Sequence, residues 1–103
     1  MADRMRIRAQ ARDGVTDVRV LIAHPMETGF RKDASGKTIP AHFIKDVKVT
    51  SGGRTVLTAR WTQAVSQNPF LQFRFKDATA GDKVTVTWMD NMGETRSDEA
   101  TIS

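Results

Sequence analysis

Residues 5–22, MRIRAQARDGVTDVRVLI, decide the fold. Met5, Ile7, Ala9 and Ala11 alternate with Arg6, Arg8 and Gln10, which puts the apolar set on one face of an extended strand. Asp13 and Gly14 follow, a dipeptide that tolerates the positive backbone angles of a tight hairpin. Val18, Val20 and Ile22 then point one way and Asp17 and Arg19 the other, and Leu21 breaks the polar side of the pattern.

The same period of two recurs downstream. Phe43, Val47 and Val49 share a face, Gly52-Gly53 reverses the chain, and Leu57, Ala59 and Trp61 share the next face. Leu71, Phe73 and Phe75 alternate with Gln72, Arg74 and Lys76 after Pro69, and Val84, Val86 and Trp88 alternate with threonines. Asn91-Met92-Gly93 makes a further reversal, and the polar stretch 94–102 reads as an exposed edge whose Ala100 and Ile102 reach the core. About seven short strands separated by turn signals describe an all-β sandwich or barrel, with no helical period longer than about two turns. At 103 residues the chain is expected to form one domain over 1–103, since a second core needs more chain.

Cysteine is absent, which removes disulfides, thiolate ligands and any cysteine nucleophile together. Sixteen Lys and Arg against twelve Asp and Glu give a formal charge of +4. The densest basic group, Arg4, Arg6, Arg8 and Arg12, falls mostly at alternate positions, as on the wetted face of a sheet. No basic segment followed by an apolar run opens the chain, and no apolar run is long enough to cross a bilayer as a helix. The expectation is a soluble chain without its own export signal and without membrane contact.

Catalytic and cofactor signatures are missing. The serines, Ser35, Ser51, Ser66, Ser97 and Ser103, sit in no strained nucleophile motif. His24, His42, Glu27 and Asp46 are the residues a metal would draw on, but their spacing matches no ligand signature, and two loop histidines bonded to backbone is the plainer reading. Scattered methionines read as packing, and no glycine-rich phosphate cradle occurs. The reading is no catalytic residue, no cofactor and no metal. Trp61 and Trp88 fall on inward positions, which argues against a stacking platform for nucleic acid.

What remains is apolar residues where polar ones belong. Leu21, Ile44, Val56 and Met89 take nominally outward positions, and Phe30, Ile39 and Phe70 lie in or beside loops. Such a patch marks a partner surface. Residues 23–43 form a segment too long for a turn and too apolar for disorder, so it reads as an ordered binding loop.

HPMETGFRKDASGKTIPAHFI (24–44), NPFLQFRFK (68–76) and GDKVTVTWMDNMGETRSDEATI (81–102) resemble the SoxZ family, nearly end to end. The resemblance implies an immunoglobulin-like β-sandwich of about seven antiparallel strands. It also implies a non-catalytic role as partner of SoxY in the SoxYZ carrier of bacterial sulfur oxidation. In that family SoxY holds thiosulfate-derived sulfur on a cysteine near its flexible C-terminus, and the SoxZ chain crosses to the periplasm already paired with SoxY, whose signal serves both. On this expectation Phe30, Ile39 and Phe43 hold the 24–43 segment against the strands, while His24, Met26, Glu27 and Arg31 face SoxY or a transiently visiting Sox enzyme. Two other classes stay open: a basic β-barrel that binds nucleic acid, and a small metal-binding domain using His24 and His42.

Overall fold

The computed structural model describes residues 3–103. Seven strands carry the fold: β1 (Arg6–Arg12), β2 (Val15–Leu21), β3 (Ile44–Ser51), β4 (Arg54–Arg60), β5 (Phe70–Lys76), β6 (Lys83–Asp90) and β7 (Thr95–Thr101). All pairings are antiparallel, in one sheet of order β1-β2-β5 and another of order β4-β3-β6-β7. No helix occurs among the described residues, and the architecture is a β-sandwich.

The β1–β2 hairpin follows from its loop. Asp13 and Gly14 both take positive φ, 53° and 79°, which matches the twist of the flanking strands and sets Arg12 opposite Val15. That register turns Ile7, Ala9 and Ala11 inward together with Val18 and Val20. The second sheet answers with Val47, Val49, Val84, Val86 and Trp88, so alternate residues of both sheets meet in one core. Ser103 closes the chain against β1: its N–H donates to the Ala9 carbonyl, and Ala11 donates to the Ser103 carbonyl, which seats Ile102 inside.

Two strands depart from simple alternation: β4, where Val56 is an extra residue between Thr55, opposite Thr50, and Leu57, opposite Val49, and β3 at its start. Alternation puts Ile44 on the outer face, yet it is 0 % exposed. The pairing of β3 with β6 shifts between Ile44, opposite Asp90, and Asp46, opposite Met89, so Lys45 is an extra residue in the ladder. A bulge of this kind reverses the facing of everything on one side of it, and it carries Ile44 into the core with Val47. Ile44 is therefore no partner contact.

Thr16 of β2 is a weak point in the packing. It is 0 % exposed, stands opposite Phe75, and its hydroxyl has no hydrogen-bond partner. Thr16→Val keeps the shape and removes the orphaned group, so it is expected to raise unfolding free energy by about 1–2 kcal/mol in urea denaturation. A variant no more stable than the parent would show that the hydroxyl is satisfied in solution.

Candidate functional site

Residues 23–43 leave the sandwich at the end of β2 and return to the start of β3 as a loose two-armed excursion. Glu27 and His42 exchange backbone hydrogen bonds, and Lys32 bridges Thr38 further out. Between these rungs the arms approach closely at Gly29, where a Cβ would stand 3.2 Å from the Ala41 Cβ and φ is +90°. Only glycine meets both conditions, which gives the last residue of HPMETG its reason.

The base of the excursion is fixed by a buried carboxylate. Oδ2 of Asp90, at the end of β6, accepts from His24 Nε2 at 3.1 Å and from His42 Nε2 at 2.7 Å, and Oδ1 accepts from the N–H groups of Met92 and Glu94. Burial pushes the Asp90 carboxyl up, but the bonds from His24, His42, Glu94 and Met92 together outweigh it and hold it below the ordinary aspartate value. The two imidazoles meet edge to face at 4.6 Å, and Trp88 packs edge-on against His24. Asn91 adds a second tie, donating from Nδ2 to the Ala41 carbonyl and accepting the Phe43 N–H.

His24, His42 and Asp90 offer three donor atoms within 4.8 Å of one another, a group that invites a metal. The tautomer of His24 argues against one. Its Nδ1 accepts the Met26 N–H at 3.0 Å, so Nε2 carries the hydrogen and points it at Asp90 instead of presenting a lone pair. The arrangement is a latch joining the excursion to the β6–β7 turn. Periodicity in the sequence does not single out Asp90 as a site residue, although it continues the inward parity of Val84, Val86 and Trp88 and is the one charged residue on that face of β6.

The excursion is anchored differently from the expectation. Met26, expected to face outward, is 4 % exposed within the core and accepts the Ile44 N–H on its sulfur at 3.4 Å. Its φ of 49° lies in the left-handed region, a conformation held here because the side chain fills the core while the backbone turns after Pro25. His24 is likewise inside, in the latch. Phe30, expected as an anchor, is instead 80 % exposed. Phe43 does pack against the core, and Ile39 is half-buried.

Among the other residues singled out, Leu21 and Phe70 are exposed and face each other across the β2–β5 pair. Met89 is exposed on the outer face of the larger sheet, and Val56 is half-buried and packs against the core. Glu27 and Arg31 form a paired-oxygen salt bridge on the excursion, and the guanidinium holds the Glu27 carboxyl below its usual value.

Comparison with known proteins places this geometry. A hypothetical protein, PH1083 from Pyrococcus horikoshii OT3, is similar with a TM-score of 0.69 at 18 % identity, over 99 % of this chain and 89 % of that one. Superoxide reductase (neelaredoxin) from Archaeoglobus fulgidus in the reduced form is similar with a TM-score of 0.62 at 21 % identity, over 97 % of this chain and 87 % of that one. A superoxide reductase in the oxidised state gives 0.63 at 18 %, over 96 % and 86 %. At these identities the likeness concerns the fold alone. No curated protein matches significantly. The family model described as sulphur oxidation protein SoxZ matches residues 5–101, and the chain belongs to the SoxZ family.

Proposed function

We propose that this chain is the non-catalytic subunit of a SoxYZ sulfur carrier, pairing in the periplasm with a SoxY subunit whose C-terminal cysteine bears the thiosulfate-derived sulfur. The observation that carries the reading is the family match over residues 5–101 in a chain with no cysteine. Covalent sulfur carriage needs a thiolate, so within such a carrier this subunit holds and presents its partner. Large apolar side chains left in water away from the basic sheet supply a reason to pair: Phe30, Met89 and Met92 are all exposed. Phe30, on an arm ordered from beneath by Met26, is the side chain assigned to the SoxY contact.

Co-expression with a SoxY chain tests the reading. The expected product is a stable complex of the two chains that supports thiosulfate-dependent turnover with the Sox enzymes, whereas either chain alone does not. A protein that stays single in size measurement beside its thiol-bearing partner would remove it. Retention on nucleic acid with steep salt dependence would favour the basic β-barrel reading instead.

A further inference from the structure

The charge of this molecule is gathered on one face. On the outside of the three-stranded sheet Arg6, Arg8 and Arg12 of β1, Arg19 of β2, and Arg74 and Lys76 of β5 are all exposed. Asp17 is the one carboxylate within these strands, with Asp13 in the adjoining turn. These six cations more than account for the formal net charge of +4. The outer face of the other sheet is different, since Arg60 lies against Asp46 and Lys83 against Glu99.

The arrangement within this face is unfavourable for the isolated fold. Arg8 stands directly opposite Arg19 across the β1–β2 pair, and like charges so placed repel. Arg19 approaches Asp17 at 3.7 Å, but Arg8 has no carboxylate partner among the described residues. At the end of the same face a depression is lined by Arg4, Arg6, Arg8 and Arg19 beside Leu21 and Phe70. Four guanidiniums around two exposed apolar side chains fit a polypeptide whose carboxylates flank an apolar residue. A nucleic acid fits less well, because Trp88 is buried, Trp61 follows the other sheet, and Phe70 alone cannot make a stacking platform.

We infer that the outer face of the three-stranded sheet is a docking surface for an acidic segment of a visiting protein, whose carboxylates meet Arg8 and Arg19 while an apolar side chain seats on Leu21 and Phe70. The visitor is transient. Sealing this face permanently would strip water from all six cations, whereas charge of this density speeds a brief encounter that salt can disrupt. The inference rests on the proposed carrier role for the identity of the visitors, the enzymes that act on the carried sulfur.

The test uses the complex of this chain with its cysteine-bearing partner, assayed with the Sox enzymes over a range of sodium chloride. Arg8→Glu and, separately, Arg6→Glu are expected to raise the carrier concentration needed for half-maximal turnover about tenfold and to flatten its salt dependence. Maximal turnover and the partner complex are expected to stay unchanged. Arg8→Glu is also expected to melt no lower than the parent, because it places opposite charges across β1 and β2. Lys48→Glu, the same charge change on the other sheet, should alter none of these. Variants that keep the parental concentration and salt response overturn the inference, as does loss of the partner complex, which would make this face the permanent interface. Binding of a short single-stranded oligonucleotide by the parent and not by Arg8→Glu overturns it too. Should the parent form no partner complex, the carrier role fails, and a labelled peptide of alternating glutamate and leucine still decides the face. Binding by the isolated parent and loss in Arg8→Glu support it, and no binding by the parent overturns it.

Discussion

Asp90→Ala is expected to lower the stability of the chain by roughly 3 kcal/mol or more, with the melting midpoint falling about 4–8 °C for each kcal/mol. The reason is the number of groups that depend on this carboxylate. Two imidazole N–H groups and the backbone N–H groups of Met92 and Glu94 all donate to it, and its removal orphans the His24 donor in a dry interior. Acid exposes the same dependence. The folded Asp90 carboxyl titrates below the ordinary value, so its contribution is fully present above the unfolded aspartate value of about 3.9 and is lost as pH falls through the lower, folded one. Denaturant midpoints followed from neutral pH into the acid range should fall below about pH 4 in the parent, and fall less steeply in Asp90→Asn. A parental midpoint in Asp90→Ala would mean that water replaces the latch without cost.

The same carboxylate shows where sequence reading succeeds and where it stops. Where the ladder runs without a bulge, parity decides burial: Val84, Val86 and Trp88 count as inward and are inward, and Asp90 falls on the same count. Parity fails at Ile44 because one inserted residue, Lys45, inverts the facing, and no local residue type announces a bulge there. In the excursion there is no period to count. Met26 is buried and Phe30 exposed, the reverse of the expectation, because the arm turns on a positive φ at Met26, a residue that rarely adopts it. The pairing of His24 and His42 on Asp90 spans 66 and 48 residues of chain, a separation that composition and spacing do not encode. The basic outer face, by contrast, is visible as alternating arginines in β1, but its opposition of Arg8 to Arg19 needs the register.

Met26→Ala and Phe30→Ala, four residues apart on one arm, are expected to fail in opposite ways. Met26 fills the core beneath the excursion and receives the Ile44 N–H, so truncation leaves a cavity that costs roughly 2–5 kcal/mol. The backbone N–H of residue 26 that donates to Nδ1 of His24 survives the replacement, so any loosening of the latch comes from the cavity and not from a lost donor. Phe30 buries little within the chain, and its replacement should change unfolding free energy by no more than about 0.5 kcal/mol. If Phe30 is the anchor that a SoxY subunit covers, the same replacement weakens the complex by about 2 kcal/mol, roughly thirtyfold in dissociation constant. Urea denaturation of the chain alone and titration with the partner separate the two effects. Met26→Ala should be poorly folded alone and recover part of its stability when the partner binds, because pairing draws the folded form by mass action. Phe30→Ala should be folded alone and pair weakly. A Phe30→Ala chain that unfolds early would put the aromatic inside the solution structure, and one that pairs at parental strength would move the SoxY contact off this arm.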